Sequence, residues 1–193
     1  KTYSFEHANP FHALDGEEGK LASCGYRYRH FNLSTDENDP VDMVVRTELN
    51  AYVAGASDKK PPSQLITIRT PNEFASRAPG AGGAPAWRAR LDQSRGAVVA
   101  TEMKNNSFKL ARFAVQSILA GADNMKLGFI SRMNPLDPYR HTILGTAWFK
   151  PRELAAQMAY NLSNGWGIVR TIIDVVRAQP AGRFVLAKDP NKQ

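Results

Sequence analysis

The sequence has one cysteine, Cys24, in 193 residues, which excludes an internal disulfide and a zinc site built from four cysteines. It has no run of about 18 apolar residues, roughly the length that a membrane-spanning helix needs. Its four histidines lack metal-ligand spacing. Phosphate-binding loops, dinucleotide fingerprints and serine-hydrolase elbows are also missing. We therefore expect no cofactor, no metal and no membrane partner, and the low cysteine content favours a reducing, cytoplasmic compartment.

The charge balance is the clearest property that the composition does show. The chain carries 25 lysine and arginine residues against 18 aspartate and glutamate residues, a net charge of +7. Its hydrophobic content of 42% and charged content of 22% are ordinary for a globular domain. Such an excess of positive charge indicates a polyanionic partner, nucleic acid above all, although a soluble protein can be basic without one.

The hydrophobic patterning predicts one α+β domain with mixed, mostly antiparallel sheets flanked by helices. Residues 1–20 are expected to form a surface arm. The chain begins without a methionine or a leader, so we expect it to be part of a longer protein. The predicted strands are 26–31, 41–53, 65–70, 97–104, 125–133, 139–148 and 183–188. The predicted helices are 87–93, a helix up to Ala120 that stops at Gly121, and a long region from Pro151 that forms either two helices or one sharply kinked helix, with the break at Asn164 and Gly165.

Two predicted strands carry polar pairs that could hold a metal. Glu102 and Lys104 would lie on one strand face, and Glu48 and Asn50 on another, because side chains on a strand alternate between faces. Carboxylates bind hard cations such as Mg²⁺, and a lysine can stabilise charge on a scissile phosphate. An ordinary ion pair between Glu102 and Lys104 is the alternative interpretation. Asn50 weakens the metal site, since it supplies a neutral oxygen instead of a carboxylate.

A basic stripe is predicted on the helix that follows. Lys109, Arg112 and Gln116 are three and four residues apart on a helix whose other positions, Phe108 among them, are mostly apolar. Together with Lys104, these cations suit contacts to RNA phosphates. On the strand 26–31, the alternating Arg27 and Arg29 are candidates for the same role, although solvated surface arginines are the alternative.

Long runs of this sequence resemble the d subunit of eukaryotic translation initiation factor three. The resemblance covers nearly the whole chain and is carried by the segments 9–11, 26–29, 95–107, 109–112, 119–121, 126–129, 143–146, 149–151, 166–168 and 188–193. It implies an mRNA cap-binding domain whose fold is similar to that of the DXO-type decapping nucleases, and residues 1–193 would be its C-terminal portion. The gate-like loop and the cap-contacting helices of the family would precede Lys1.

The resemblance also implies roles for individual residues. In the decapping nucleases, metal is held by carboxylates of an E-x-D strand and an E-x-K strand, with a glutamine on the next helix. Glu48 and Asn50 stand at the first motif, Glu102 and Lys104 at the second, and Gln116 at the helix position. Asn50 departs from the acidic pattern, so we expect a relic of a metal site that lines an RNA tunnel.

The function expected from the resemblance is non-catalytic. The chain would bind the 5′ cap end of mRNA and bring it to the small ribosomal subunit, together with the other subunits of the initiation factor. Arg27, Arg29, Lys104, Lys109 and Arg112 would contact the RNA. Two alternatives stay open at this point: a metal-dependent 5′-end RNA hydrolase or exonuclease, and a scaffold that contacts the ribosome without reading the cap.

Overall fold

The computed structural model describes residues 24–55, 62–75 and 79–187, together with His7, Asp189 and Asn191. The predicted arm lies outside these residues except for His7, which is exposed. The strands are β1 (Gly25–Asn32), β2 (Asp42–Leu49), β3 (Ala51–Val53), β4 (Gln64–Arg69), β5 (Asn124–Arg132) and β6 (His141–Phe149). The helices are α1 (Trp87–Asn105), α2 (Ser107–Ala120), α3 (Pro151–Gln157) and α4 (Leu162–Arg177).

The strands form two sheets, and the predicted α+β class is confirmed. β1 and β2 make an antiparallel hairpin, while the second sheet has the order β3-β4-β5-β6. Only the β4–β5 pair is parallel among these described strands, so the sheets are mostly antiparallel, as predicted. The stretch 41–53, predicted as one strand, instead leaves the first sheet at Leu49 and enters the second at Ala51. Asn50 is the residue between the two sheets.

The core lies between the helices and one face of the four-stranded sheet. Trp87 at the start of α1 packs edge-on against Phe129 of β5, with ring centroids 5.3 Å apart. Burying aromatic and aliphatic side chains in this way is the main source of stability in such a domain. The buried cluster is completed by Leu91, Val98, Val99, Leu110, Ala114, Met125, Leu127, Leu154 and Ala155.

A buried hydrogen bond joins α2 to the sheet inside this core. The hydroxyls of Thr67 on β4 and Ser117 on α2 are 2.6 Å apart, and both residues have no exposed surface. Ser117 donates its own proton to the carbonyl of Phe113 at 2.8 Å, so Thr67 is the donor to Ser117. The small residues Ala114 and Ser117 let α2 approach the strand closely enough for this bond to form.

The segment 97–104, predicted as a strand, is helical and completes α1. The predicted short helix before it is present, but α1 does not end at Gly96; a single non-helical residue, Ser94, kinks it and the helix then continues to Asn105. Leu91, Val98 and Glu102 are buried at spacings of seven and four residues, which is the repeat of a helix face. Packing of that face against the sheet outweighs the strand preference of the valines.

The region from Pro151 onward forms two separate helices, α3 and α4, which is one of the two predicted alternatives. The break comes earlier than predicted, at Ala159, whose φ of 53° is left-handed, and the side chain of Asn161 then caps α4 by accepting from the amide of Asn164. The predicted strand 183–188 is wrong, because residues 183–187 form no strand or helix. No helix in the described part of the chain is long and apolar enough to cross a bilayer.

Ion pairs attach α4 to the hairpin of β1 and β2. Arg170 donates to Asp39 at 2.6 Å and to the carbonyl of Leu33 at 2.6 Å, and it pairs with Asp174 one turn further along the helix. Arg177 also bonds Asp39, at 2.9 Å. The hydrogen bond from Arg177, followed by the charge of Arg177 and the contact with Arg170, lowers the pKa of Asp39 even though burial opposes the shift.

Candidate nucleic-acid interface

Glu102 and Lys104 lie on α1 and therefore do not share a strand face. Residues two apart on a helix point about 200° from each other, so one faces the core and the other faces solvent. Glu102 is 3% exposed, whereas Lys104 is exposed. They form no ion pair with each other in the described structure, so the ion-pair alternative is not supported either. The predicted pairing of an acid and a lysine on one surface is wrong.

Glu102 instead fixes the corner between α1 and α2. Its carboxylate accepts a 2.8 Å hydrogen bond from the side-chain amide of Asn106, the residue between the two helices. Asn105 anchors the same corner by donating to the carbonyl of Ala81 at 2.9 Å. Gly82 makes room for this contact, because a Cβ there would lie 2.8 Å from the side-chain oxygen of Asn105. The corner is thus held by bonds to α1 and to the loop that precedes α1.

Three cations flank this corner in the sequence, Lys104 on α1 and Lys109 and Arg112 on α2, and we call them the corner cations. Lys104 and Arg112 are exposed and Lys109 is half-buried. None of the three makes an ion pair with a carboxylate among the described residues. Gln116, one turn beyond Arg112, is also exposed. In the described part of the chain, the predicted stripe on α2 therefore has two cations without a carboxylate partner, Lys109 and Arg112, and positive charge of this kind suits contacts to phosphates.

Phe108 stands between the corner cations Lys104 and Lys109 in the sequence and is 75% exposed. The sequence pattern groups it with the apolar, buried positions of the helix. The buried row of α2 is instead formed by Leu110, Ala114, Ser117 and Ala120. The sequence alone does not identify Phe108 as exposed, because α2 is apolar over most of its circumference. The one sequence feature that points to an exposed position is its place one residue before Lys109 and four before Arg112.

Glu48 and Asn50 lie near an internal cation, Arg69 of β4. The side-chain oxygen of Asn50 accepts from the amide of Ile68 at 2.9 Å and from the guanidinium of Arg69 at 3.1 Å. Burial lowers the pKa of Arg69, and the neighbouring charge of Glu48 opposes that shift. The Nε of Arg69 is buried without a hydrogen-bond partner in the structure. A guanidinium therefore stands beside both members of the first predicted metal motif.

The described residues contain no group of three carboxylate, imidazole or thiol side chains that could hold a metal ion. Glu102 bonds Asn106, while Asn50 bonds the main chain and side chain of β4. The structure thus places the two motifs in separate hydrogen-bond networks. A cation at Glu48 would also meet the positive charge of Arg69.

Arg27 and Arg29 share one face of β1, as predicted, and both point to the end of α2. Arg29 donates to the carbonyls of Ile118 and Leu119, each at 3.0 Å, and Arg27 donates to those of Ala120 and Gly121 at 3.3 and 3.4 Å. Positive charge at a helix C-terminus stabilises the helix dipole and satisfies its free carbonyls. These two arginines have a structural role whether or not they also contact RNA.

Two cavities, one at the end of α2 and one beside α1, have arginine residues in their lining. A cavity of about 420 Å³ next to the end of α2 is lined by Arg29, Lys150 and Arg152, with Asp123 and Glu153 as acidic neighbours. A second cavity of about 630 Å³ lies between α1 and the β5–β6 turn. Its lining includes Arg88, Arg132, His141, Phe74 and Met133.

Comparison with known proteins places the chain in a family. A family model described as Eukaryotic translation initiation factor 3 subunit 7 (eIF-3) matches residues 1–193, and the chain belongs to that family. A relative from Mycosarcoma maydis, named as the D subunit of eukaryotic translation initiation factor 3, is 69% identical over 191 residues, which cover 99% of this chain and 32% of the relative. Relatives of the same name from Sclerotinia sclerotiorum and Aspergillus fumigatus are 54% and 52% identical, over 97% and 98% of this chain and 32% and 33% of their own length. The chain thus spans about a third of the length of these curated relatives.

Proposed function

We propose that this chain is the C-terminal portion of a cap-binding domain, and that it holds the 5′ end of capped mRNA without cutting it. The protein would act in the cytoplasm with the other subunits of initiation factor 3, beside the small ribosomal subunit. Family membership supports the role in translation initiation. The observation that carries the RNA contact is the set of corner cations, which have no carboxylate partner among the described residues.

We expect the protein to bind RNA without cleaving it. Metal-dependent phosphoryl transfer needs carboxylate oxygens that converge on the ion. Here Glu102 is buried and bonded to Asn106, and Asn50 is bonded to Arg69. We therefore expect full-length protein, incubated with labelled capped or uncapped RNA and Mg²⁺ or Mn²⁺, to give no product. A product that disappears in Glu102→Gln would favour the hydrolase alternative.

Salt dependence tests whether the corner cations contact RNA. Full-length protein is titrated with fluorescent capped RNA at several salt concentrations, and the double variant Lys109→Gln with Arg112→Gln is compared with it. The slope of log affinity against log salt should become less steep by about 0.7 for each single-strand phosphate that the variant no longer neutralises. An unchanged affinity and slope would remove the corner cations from the RNA interface.

A matched control removes the same charge elsewhere. Arg140 and Arg177 are each paired with an aspartate, Asp137 and Asp39 respectively. The double variant Arg140→Gln with Arg177→Gln should leave the salt slope unchanged, because these charges are already neutralised. Equal reductions of affinity in the two double variants would mean that net charge alone drives binding.

Competition with a cap analogue separates cap recognition from a scaffold role. If the domain reads the cap, the analogue should displace capped RNA from the full-length protein more effectively than unmethylated GTP does. A scaffold that contacts RNA without reading the cap should show no such competition, and that result would end the cap-binding part of the proposal.

A further inference from the structure

Phe108 is an aromatic side chain that the fold leaves in solvent. Its ring is 75% exposed on the first turn of α2, next to a well-packed helix row. Large apolar side chains exposed singly are common and need no explanation by themselves. Phe108 differs from that background in its neighbours, because the corner cations Lys104, Lys109 and Arg112 lie within four residues of it in sequence.

The corner that carries Phe108 is fixed by side-chain hydrogen bonds. Asn106 bonds the buried Glu102 at 2.8 Å, and Asn105 bonds the carbonyl of Ala81 at 2.9 Å. The backbone of α2 therefore starts from an anchored residue, and its first turn presents Phe108 in a defined direction. On a fixed backbone, an aromatic side chain has only two χ angles to lose when a flat partner stacks on it.

We infer that Phe108 stacks on a base of single-stranded RNA whose phosphates contact the corner cations. Proteins that bind single strands combine a cationic track for the backbone with aromatic rings for the bases, and the stack tolerates any base because every base has a π-face. The inference rests on the proposed function, since it assigns a contact within the same RNA surface. It names the ligand as an unpaired nucleotide rather than a duplex.

Stacking and phosphate contacts leave different signatures in a salt titration. A base stacked on Phe108 releases no counterions, so losing it lowers affinity equally at every salt concentration. With full-length protein and a fluorescent single-stranded RNA, Phe108→Ala should weaken binding by roughly 5- to 150-fold at each salt concentration. The plots of log affinity against log salt should stay parallel to wild type.

Side-chain replacements at position 108 separate stacking from simple apolar contact. Phe108→Leu keeps an apolar side chain without a π-face and should bind as weakly as Phe108→Ala. Phe108→Trp should bind at least as well as wild type and add RNA-dependent fluorescence quenching beyond that of the three native tryptophans. Phe184→Ala is the control and should bind like wild type, because Phe184 is 52% exposed in the irregular segment after α4.

The outcomes distinguish this inference from the proposed function. Unchanged affinity in Phe108→Ala, or wild-type affinity in Phe108→Leu, would overturn the stacking contact even if Lys109→Gln with Arg112→Gln still weakens binding. If that double variant changes neither affinity nor slope, the proposed RNA surface itself fails. A lower thermal midpoint of Phe108→Ala with unchanged RNA binding would show that protein covers the ring, and would also overturn the inference.

Discussion

The side-chain amide of Asn106 donates a 2.8 Å hydrogen bond to the carboxylate of Glu102, four residues earlier in the chain. This bond ties the last turn of α1 to the residue that begins α2. Asn106 consequently makes no side-chain cap on α2, although its residue type and position favour one. The corner cations lie on the two helices that meet at this pair.

Replacing Glu102 should destabilise the α1–α2 corner. Glu102→Ala removes a side chain that is 3% exposed and takes the acceptor from the half-buried amide of Asn106, and losing a hydrogen bond to a charged group costs about 1.5–3 kcal/mol. Glu102→Gln keeps an acceptor oxygen and should lose less. Thermal unfolding of the full-length variants measures both. Asp92→Ala, an exposed acid on the same helix, should change stability by less than about 0.5 kcal/mol, and an equal effect at both sites would contradict the prediction.

The buried hydroxyl pair should respond asymmetrically to mutation. Thr67 donates to Ser117, which donates in turn to the carbonyl of Phe113. Ser117→Ala leaves the buried Thr67 donor without its acceptor and should cost about 1–3 kcal/mol. Thr67→Val leaves Ser117 bonded to Phe113 and should cost less.

A double-mutant cycle on the same pair checks this reasoning. Because the valine removes the donor that the alanine would strand, the double variant should lose less stability than the sum of the single variants. The readout is the free energy of unfolding of each variant under identical conditions. Strict additivity would show that the 2.6 Å contact contributes no coupling.

Gly121 should be intolerant of a side chain because it serves two purposes. Its φ of 64° is left-handed, and a Cβ there would lie 2.9 Å from the guanidinium of Arg27 and 3.1 Å from that of Arg29. Gly121→Ala should therefore destabilise the protein by about 1–2 kcal/mol from backbone strain alone, and displace both arginines. Gly167→Ala is the control, since it lies in α4 with nothing within 4 Å of the added carbon. That variant should be neutral or more stable by up to about 1 kcal/mol, as measured by thermal unfolding.

The attachment of α4 should weaken in acid. Arg177 and Arg170 lower the pKa of Asp39 in the folded protein, so the stabilisation is complete above the ordinary carboxyl pKa of about 3.9 and is lost as the pH falls toward the lowered folded value. Asp39→Asn should reduce the thermal midpoint at pH 7, and its difference from wild type should shrink below about pH 4. A difference between Asp39→Asn and wild type that stays constant with pH would contradict the assignment.

Local sequence patterns are sufficient to predict much of the fold. The pair β5–β6 is predictable because apolar stretches flank a proline-containing turn, and the end of α2 is predictable because Gly121 suits a left-handed residue. The strand prediction for residues 97–104 is wrong because Val98, Val99 and Thr101 favour a strand locally. What decides the helix is the burial of Val98 and Glu102 against the sheet, and no local pattern contains that contact.

The candidate site is less predictable than the fold, for the same reason. Which face of α2 is exposed depends on where the helix meets β4, and the sequence shows an almost uniformly apolar helix. Arg69 does not stand out in the sequence, since its approach to Asn50 depends on how the chain passes from one sheet to the other. The RNA-binding roles of Arg27, Arg29 and the corner cations remain predictions that the proposed titrations test.

Asn50, the residue between the two sheets, lies beside the guanidinium of Arg69, whose positive charge would repel a metal ion bound there. An aspartate at this position would not by itself create a metal ligand, because the new carboxylate would meet the guanidinium of Arg69 and the amide of Ile68. Through these two hydrogen bonds, Asn50 fastens the chain that leaves β2 to strand β4 of the second sheet. A cation site at this position would therefore require Arg69 to be replaced as well, because its positive charge lies beside both Glu48 and Asn50.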